Sequence, residues 1–413
     1  MRLVIIADGN SPLARQWIKY LTDAGDDVHL ISHYRLYAPP IPGVRAHEVP
    51  LMSARFFGLS STASVHREPS HIGRLLSAGL RGLNSALDLH RAWIGYVGPL
   101  EARFVAPRIA SIVHATRPHL VHALRIPMEG ESVARLSGPP VALSAWGNDF
   151  TLWTARYRGH RRLAAEALRH ASGLHADCQR DIQLARELGF PPTRPHLVSP
   201  SGGGIDASKQ VPADAVNRWR TRLALPPEAA VVVNPRGMRT YVRTNEYLRA
   251  IPDVLRERPA TVFVSVGVAG DPTVTRLTRE LGIDGSHRAL PTISQDDLAA
   301  LFVIADVTVS PTDHDGTPNT LLEAMARGAF PVAGNLESIR EWIDHGFNGL
   351  LVDATSPSAI AAGILRALGD PDLRVRGVEH NRRLVRERAD YAVCMGRVRQ
   401  FYREIVHSAQ RLT

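Results

Sequence analysis

Two acidic residues lie eight positions apart in the segment of this sequence that is best suited to chemistry. They are Asp315 and Glu323, within the run SPTDHDGTPNTLLEAMAR at residues 310–327. The run predicts a strand end, a turn-rich loop and a helix that begins near Asn319. Free N–H groups at the start of such a helix bind anions, so a diphosphate fits there without a metal ion. Glu323, about one turn into the helix, can accept hydrogen bonds from the vicinal hydroxyls of a ribose.

The elements that must position this segment form two successive series of alternating strands and helices. The first series opens with the apolar run Arg2–Ala7 and then Gly9, as in a buried parallel strand and its turn. Pro12 follows the cap-capable Ser11, where the first turn of a helix tolerates proline. Residues 200–204 have the composition of a hinge between the two series. Strands are predicted at residues 2–7, 27–32, 119–123, 141–144, 173–176 and 196–199, and then at 230–234, 261–266, 288–290, 306–310, 330–333 and 349–352.

This organisation predicts an α/β protein of two doubly wound, Rossmann-like domains that face a cleft. The first domain is predicted over residues 1–205 and the second over residues 206–388. In open α/β sheets, ligands bind outside the carboxyl ends of the strands. The functional residues are therefore expected on loops that face the cleft.

The segment around Asp315 resembles the corresponding segment of family-four glycosyltransferases of the GT-B fold. Their pattern is E-G-x-P-x-x-x-x-E-A, and residues 315–324 read D-G-T-P-N-T-L-L-E-A, with Asp for the first Glu. Further stretches that resemble the family are residues 11–17, 146–149, 202–206, 328–333, 337–343 and 346–352. The resemblance thus extends over most of the chain, and it is most specific after residue 306.

The resemblance implies a retaining transfer of a sugar from a nucleotide diphosphate donor, such as a UDP- or GDP-sugar, to an acceptor hydroxyl. Asp315 would contact the donor sugar, and Glu323 would hold the nucleotide ribose. The C-terminal helix, residues 389–413, would cross back onto the first domain. The donor-binding residues so implied are Gly316, Thr317, Pro318, Asn319, Thr320 and Glu323 in the second domain, and Gly9 and Ser11 in the first.

Arginines are expected to stabilise the leaving group of such a transfer. A diphosphate gains negative charge as the sugar bond breaks, and without a metal ion this charge requires cations and oriented N–H groups. In the family, an Arg and then a Lys grip the phosphates after the first strand of the second domain. Arg236 matches the first of these and Arg243 the second, with Arg239 as a rival for that place. Arg can bind phosphate through two donors where Lys is a point charge.

The first domain offers weaker candidates for the acceptor side. His122 is placed at the end of a predicted strand, where the family often has a His near the reacting centre, and it is assigned a catalytic role. Asn10 lies in the loop after the first strand, and Asp149 is either an acceptor-side residue or a helix cap. The acceptor class is left open among a glycan, a lipid-linked hydroxyl and a small-molecule hydroxyl.

Charge and cysteine content restrict the partners and the compartment. The formal net charge is +9, but no Lys/Arg block is interleaved with aromatic residues, so nucleic acid is not predicted as a partner. Cys178 and Cys394 lie far apart, which predicts neither a disulfide framework nor a zinc site. Neither a membrane-spanning run nor a signal-peptide core is found, so a cytoplasmic location is expected. Its basic surface is compatible with peripheral contact at the inner face of an anionic membrane.

One further segment has two interpretations, and three rival functions are considered. Residues 72–92 have apolar residues at helical spacing, which fits a helix packed on its own domain or one that faces a membrane or acceptor. A dinucleotide-dependent oxidoreductase is disfavoured, because the first loop reads D-G-N-S-P instead of GxGxxG. The two remaining rivals are a GT-B protein that only binds sugar nucleotides or a partner protein, and a GT-B sugar-nucleotide epimerase. Neither a cofactor nor a metal ion is expected.

Overall fold

The computed structural model describes residues 1–52, 54, 86–239 and 241–411, without the side chains of residues 86–91. The chain forms two compact units. The first comprises Met1–Gly203 together with Cys394–Thr413, and the second comprises Gly204–Val393.

The first unit is built on a seven-stranded parallel sheet with the order β3-β2-β1-β4-β5-β6-β7. Its strands are β1 (Arg2–Ile6), β2 (Asp27–Ser32), β3 (Val44–Glu48), β4 (Leu120–Ala123), β5 (Val141–Ala145), β6 (Gly173–Ala176) and β7 (His196–Val198). The chain order reverses between β1 and β4, which is the switch point where doubly wound sheets bind ligands.

Helices connect these strands and cover the sheet, as parallel pairing requires. Those described are α1 (Pro12–Asp23), α2 (Ala86–Thr116), α3 (Arg158–His170) and α4 (Gln179–Glu187), with single turns at Ile126–Gly130, Asp149–Thr154 and Ser201–Gly203. The core lies between the sheet and the helices and includes Val4, Ile6, Val121 and Leu143 from the strands. None of these four side chains is exposed.

The second unit repeats the plan with a six-stranded parallel sheet in the order β10-β9-β8-β11-β12-β13. Its strands are β8 (Val231–Asn234), β9 (Val262–Val266), β10 (His287–Leu290), β11 (Val307–Ser310), β12 (Phe330–Gly334) and β13 (Leu350–Val352). The switch point lies between β8 and β11, which pair in register at Val232 and Val307.

Both faces of the second sheet are covered. Its helices are α5 (Ala213–Arg222), α6 (Thr244–Glu257), α7 (Pro272–Glu280), α8 (Gln295–Ile304), α9 (Asn319–Arg327), α10 (Glu337–Arg340), α11 (Pro357–Gly369) and α12 (Pro371–Arg388). One core, around Val232 and Phe330, lies on one face, and a separate core around Val233 and Phe302 lies on the other. Strands that are buried on both faces explain the continuous apolar runs of the sequence.

The last helix, α13 (Tyr391–Gln410), ends the chain. From Cys394 onward its residues belong to the first unit, where Phe401 and Ile405 pack against Gly173 of β6. A side chain at Gly173 would meet Ile405 at 2.3 Å, so the helix lies directly on the strand.

The predicted fold class, two doubly wound α/β domains, is confirmed, and the predicted strands agree with the structure to within a residue or two. One strand was not predicted. β3 (VRAHE) is a half-exposed edge strand without an apolar run, so its sequence lacks the signal of a buried parallel strand. The predicted helix at residues 72–92 lies for the most part outside the described residues, and only its last seven residues fall within α2. Among the described residues, no helix is both long and apolar enough to cross a membrane.

Candidate functional site

The carboxyl ends of β8 and β11 bring together the residues singled out in the second half of the sequence. β8 ends at Asn234 and leads to Arg236, and β11 ends at Ser310 and leads to Asp315. Because the two strands are neighbours at the switch point of the sheet, their following loops meet at one edge. We refer to the loops after β8 and β11 and the start of α9 as the second-sheet edge.

Arg236 and Asp315 form a buried ion pair at the second-sheet edge. The Arg236 Nη2 donates to Asp315 Oδ2, and the two side chains are 8% and 9% exposed. The Arg236 Nη1 also donates to Thr320 Oγ1 at 3.3 Å. Asn234 Oδ1 accepts the backbone N–H of Arg236 at 3.0 Å, which fixes the turn that follows β8. The sequence-predicted Arg236, Asp315 and Thr320 are thus in direct contact.

The start of α9 carries the anion-binding geometry expected from the sequence. Pro318 is its N-cap residue and supplies no side-chain hydrogen bond to the first turn, which begins with Asn319 and Thr320. No acidic residue lies in that turn. The positive end of the helix dipole at this turn therefore suits a negatively charged group.

Neighbouring side chains hold the loop before α9 in place. Gly316, which is buried, donates its backbone N–H to Asp315 Oδ1 at 3.1 Å. Ser338 Oγ donates to the Asp315 carbonyl at 2.8 Å, and Trp342 Nε1 donates to Thr317 Oγ1 at 3.0 Å. Asp315 and Thr317 are therefore positioned by the segment around α10.

Gly334, at the end of β12, shapes the same loop by close approach. A Cβ atom at this position would lie 2.1 Å from the carbonyl oxygen of Thr312. Only glycine allows this approach of two backbones. Gly334, Ser338 and Trp342 were not predicted as site residues, since nothing in their local sequence marks them as contacts of a loop 20 or so residues upstream.

Arg243 lies at the start of α6 and pairs with an aspartate of the loop after β11. Its Nη2 donates to Asp313 Oδ2, and the side chains are 35% and 21% exposed. The Arg243 backbone N–H donates to Pro311 O at 2.7 Å, which joins the two loops. The rival Arg239 is exposed and donates to Tyr241 Oη at 3.1 Å. Of the two arginines, Arg243 is the one bound to the loop of Asp315.

Glu323 lies in the second turn of α9 and is half-buried. Its Oε1 accepts a hydrogen bond of 2.8 Å from Gln295 Nε2 at the start of α8. Burial raises the pKa of Glu323, and the hydrogen bond from Gln295 opposes this effect. Gln295 was not predicted, because it lies on a different helix and has no motif around it.

Several buried polar atoms of the second-sheet edge have no hydrogen-bond partner within the described part of the chain. They are Asn234 Nδ2, Arg236 Nε, Arg243 Nε, Ser310 Oγ, Thr312 Oγ1 and Asp313 Oδ1. Leaving a buried polar atom unpaired costs about 1–3 kcal/mol. Such atoms concentrated at one edge are suited to a polar ligand that pairs with them.

The first-sheet loop with Gly9, Asn10 and Ser11 is tied to its own unit. Asn10 Oδ1 accepts from the backbone N–H groups of Tyr37 and Ala38 at 2.8 and 3.2 Å, and its Nδ2 donates to Arg35 O at 2.7 Å. Both ends of the Asn10 amide therefore hold the chain after β2. A predicted acceptor contact through this side chain would compete with these bonds.

Gly9 has a role in packing, and Ser11 lies at the start of a helix. A Cβ atom at Gly9 would lie 2.3 Å from Leu36 Cδ2, so the residue is small because a side chain lies against it. Ser11 is the N-cap residue of α1, but its hydroxyl makes no capping hydrogen bond. Predicted donor contacts of both residues stay predictions.

Asp149 is fully buried and holds three chain segments together. Its Oδ1 accepts from Arg125 Nε at 3.0 Å and from Arg125 Nη2, and its Oδ2 accepts the backbone N–H groups of Ile126 and Trp146 at 3.1 Å each. Asp149 lies inside the turn that follows Asn148, so it is not the cap residue. This saturated carboxylate has a structural place, which is at odds with an acceptor contact.

His122 lies in the core of the first unit, and its predicted catalytic role stays a prediction. Its ring lies in the core, with no exposure, and both ring nitrogens have partners, Tyr402 Oη at 2.6 Å and Ser144 Oγ at 2.8 Å. Burial lowers the pKa of His122. The side chain of this strand residue points into the helix layer, away from the carboxyl edge where ligands bind.

The His122 pair belongs to a longer buried chain of polar groups. Tyr402 Oη accepts from Trp17 Nε1 at 2.9 Å, and Ser144 Oγ lies 3.0 Å from His175 Nδ1. His175 Nε2 in turn lies 3.0 Å from Ser199. These bonds join α1, α13, three strands and the segment after β7, so the network fixes the interior of the first unit.

Acidic groups that were not predicted lie after β4. Glu129 is 3% exposed, and burial raises its pKa to about 8. It follows Met128, whose φ of 67° is rare for a residue other than glycine. Glu131, also buried, pairs with His160 at 2.7 Å. No local motif identifies these residues, because their burial arises from the irregular turn at Ile126–Gly130.

One group of potential metal ligands occurs among the residues that the structure describes. It consists of Asp177, Cys178 and Asp181, all buried, after β6. Arg180 donates to Asp181 Oδ1 at 2.9 and 2.8 Å, and Gly147 N–H donates to Asp177 Oδ2 at 2.7 Å. The arginine thus supplies positive charge to the group. Both cysteines of the chain, Cys178 and Cys394, are buried.

Part of the sequence is similar to known glycosyltransferases. Residues 216–384 match the family described as Glycosyl transferases group 1. A D-inositol 3-phosphate glycosyltransferase of Thermobispora bispora is 30% identical over 205 residues, which are 46% of this chain and 47% of that protein. The enzyme of the same name from Salinispora arenicola is 29% identical over 55% of this chain and 53% of its own. The chain thus spans about half the length of the curated relatives it matches.

Solved structures resemble the chain over nearly its whole length. HepE of Anabaena, crystallised with UDP-glucose, superposes with a TM-score of 0.70 over 97% of this chain and 98% of its own, at 14% identity. Sucrose-phosphate synthase of Thermosynechococcus elongatus gives 0.71 over 99% and 100%, also at 14% identity. These likenesses confirm the predicted GT-B fold. The segment that matches the glycosyl transferases group 1 family, residues 216–384, lies within the second unit of this fold.

Proposed function

We propose that this chain is a retaining, metal-independent glycosyltransferase that moves a sugar from a nucleotide diphosphate donor to an acceptor hydroxyl. The observation that carries the proposal is the contact of Arg236, Asp315 and Thr320 at the start of α9. This contact joins a cation, a carboxylate and a helix N-terminus at the switch point of a parallel sheet. That combination suits a diphosphate with a sugar attached to it.

The donor phosphates would lie against the first turn of α9 and the two arginines. Arg236 keeps Nε without a partner in the described chain, so it can donate to a phosphate while it stays bound to Asp315. Arg243 is likewise held by Asp313 with Nε unpaired. Because both arginines are fixed before the donor binds, little reorganisation is needed when charge develops on the leaving group.

The nucleotide ribose would lie at Glu323. Its carboxylate accepts from Gln295 through Oε1, which orients it and leaves the second oxygen for a hydroxyl. The donor sugar would lie at Asp315, whose backbone carbonyl is fixed by Ser338. The carboxylate of Asp is one methylene shorter than that of Glu, so sugar selection is expected to depend on this position.

The reaction would break the bond between the anomeric carbon and the donor phosphate oxygen. The acceptor oxygen would attack the anomeric carbon from the face on which the phosphate leaves, so the configuration at this carbon is retained. The departing phosphate oxygen would take the proton of the acceptor hydroxyl. Arg236, Arg243 and the amides of α9 would hold the resulting negative charge. In this scheme, no side chain acts as a general base.

Transfer can be tested without knowledge of the acceptor. Release of nucleoside diphosphate from UDP-glucose, UDP-N-acetylglucosamine and GDP-mannose would be followed with EDTA present, because many transferases slowly hydrolyse their donor. We expect one donor to be turned over by the wild type and by Arg249→Ala, an exposed arginine of α6, but not by Arg236→Ala. Equal release by all three proteins, or binding of a donor without release from it, would contradict the proposal.

A further inference from the structure

A row of exposed apolar side chains runs along the outer face of α2. Tyr96, Leu100 and Phe104 are 75%, 65% and 80% exposed. They follow one another at intervals of four residues, so they form a single row about 12 Å long. Scattered apolar residues are ordinary on protein surfaces, whereas a contiguous group of this kind marks an interaction site.

The opposite face of the same helix is apolar too, and it is covered by the first unit. Ala102, Ile109 and Val113 are at most 2% exposed and lie on this inner face. A helix that is apolar on all sides is normally buried on all sides. The face of α2 that the described residues leave uncovered therefore calls for an apolar environment.

Arginines surround the exposed row. Arg108 continues it by one more interval of four residues, and Arg103 lies next to Phe104 on the helix, with a side chain that is 42% exposed. The start of α3 adds a second group of exposed arginines beside the row: Arg156, Arg158, Arg161 and Arg162. We call these residues and the apolar row together the α2 surface.

Ring contacts bring the start of α3 against the row. The ring of Tyr157 meets that of Tyr96 edge to face at 5.2 Å, and the Arg156 guanidinium lies 5.6 Å from the Tyr157 ring. Gly95 allows this contact, because a Cβ atom there would lie 2.3 Å from Tyr157. The basic and apolar parts of the α2 surface are therefore adjacent.

Few acidic side chains offset these arginines. Glu101 is the only acidic residue between positions 92 and 116, and it is 3% exposed. Glu166 is the only one in α3, and it is half-buried and paired with Arg135 at 2.5 Å and Arg103 at 3.8 Å. The α2 surface thus carries a net positive charge around an apolar centre.

We propose that the α2 surface docks on an anionic lipid membrane. The apolar row would enter the boundary between headgroups and acyl chains, and the arginines would bind lipid phosphates around it. Long arginine side chains can lay their apolar stems on the membrane while the guanidinium stays in the headgroup layer. Aromatic residues such as Tyr96 are favoured at this depth.

Charge argues against a second copy of the chain as the occupant. A two-fold contact brings the same patch of both copies together, so the arginines of one copy would face those of the other. Like charges in an interface are unfavourable. An anionic lipid layer, in contrast, offers both the apolar interior and the opposite charge.

The surface can be tested by flotation with lipid vesicles. The protein would be mixed with vesicles of phosphatidylcholine alone and with vesicles that also contain phosphatidylglycerol. We expect the wild type to float only with the second kind, and less as salt is added. Failure to float with the anionic vesicles at low salt would overturn the proposal.

Two variants divide the surface into its parts. The apolar variant carries Tyr96→Ser, Leu100→Ser and Phe104→Ser, and the basic variant carries Arg158→Gln, Arg161→Gln and Arg162→Gln. All six side chains are exposed, so the fold should be kept. Removing three arginines should weaken partition into anionic vesicles by about a hundredfold. Flotation of either variant like the wild type would contradict the proposal.

A control variant lies on the second unit. Val375, 68% exposed, is flanked on α12 by arginines but also by Asp372 and Glu379, so this helix has mixed charge. The variant Val375→Ser with Arg376→Gln should float like the wild type, and an equal loss of flotation in this control would overturn the assignment to α2.

Nucleotide binding, which is proposed for the second unit, should be unchanged in all variants, which separates this test from that of the proposed transfer. If the wild type is a dimer that does not float, and the apolar variant is a monomer, the α2 surface serves self-association instead.

Discussion

Each of the two sheets carries an arginine–aspartate pair at its carboxyl edge, but the two pairs are built differently. In the first unit, Asp149 accepts from Arg125 and from two backbone N–H groups, and it is completely buried. In the second unit, Asp315 pairs with Arg236, whose Nε has no partner within the described chain. In the first pair the Asp149 carboxylate is taken up by contacts within the chain, and in the second pair Arg236 keeps a donor for a ligand.

The contrast shows that residue type and position in a doubly wound sheet do not by themselves make a binding residue. What differs is the supply of local partners. The loops after β4 and β5 each provide a backbone amide to Asp149, while a group of unpaired polar atoms surrounds Arg236. Ligand binding is expected where hydrogen-bonding capacity is left over.

The largest effect is expected from the Arg236 pair. Arg236→Ala removes the cation that stabilises the leaving phosphate, so donor turnover should fall by about 10²- to 10³-fold. Arg236→Lys keeps the charge but loses the second donor, so it should recover part of the activity. Steady-state kinetics with the best donor measures both. If donor turnover by Arg236→Ala falls by less than about tenfold, the Arg236 pair is not a ligand-binding pair and does not differ from the Arg125 pair in this respect.

A loss of stability without a loss of chemistry is expected at His122. His122→Ala leaves Tyr402 and Ser144 each short of one partner inside the core and should lower the free energy of unfolding by about 2–3 kcal/mol. Denaturant unfolding measures this effect, with the exposed His114→Ala as the control. Donor turnover below the unfolding transition should stay at the wild-type level. A selective loss of turnover would restore the catalytic role.

Gly9 in the first unit and Gly334 in the second allow the carboxyl edges of the two sheets to be compared. Gly334→Ala drives a Cβ atom into the backbone carbonyl of Thr312, whereas Gly9→Ala meets the end of the Leu36 side chain, which can move. We expect Gly334→Ala to cost about 1–3 kcal/mol and to weaken nucleotide binding, and Gly9→Ala to cost less. Thermal unfolding and calorimetry report the two effects. A larger loss of stability in Gly9→Ala than in Gly334→Ala would contradict the close approach of the two backbones at the second-sheet edge.

A further effect is expected at Glu129, and it depends on pH. Burial raises its pKa to about 8, so the folded state holds a proton that the unfolded state releases above its ordinary pKa of 4.5. This contribution to stability is complete below pH 4.5 and is lost as the pH rises through about 8. Glu129→Gln should therefore gain stability relative to the wild type as the pH rises, as thermal unfolding would show. The exposed Glu187→Gln serves as the control. If the free energy of unfolding of Glu129→Gln does not increase relative to that of the wild type as the pH rises toward 8, the assignment is wrong.

The fold could be predicted almost completely from the sequence, because buried parallel strands are continuous apolar runs with turn residues after them. The site was predictable where one short segment carries it, as in residues 315–323. It was not predictable where partners come from distant elements. Gln295 and Ser338 have no local signal, and His122 shares its sequence pattern with strand-end residues that do bind ligands. Only the direction of a side chain within the sheet separates these cases.

The central claim is a nucleotide site at the second-sheet edge, and calorimetry with UDP, GDP and ADP tests it most directly. The titrations would be made with EDTA present, on the wild type and on Glu323→Ala. One nucleotide should bind tightly, and the substitution should weaken it about tenfold or more, since a buried charged hydrogen bond contributes about 1.5–3 kcal/mol. If none of the three binds, or if Glu323→Ala binds as tightly as the wild type, the assignment of the donor site is wrong.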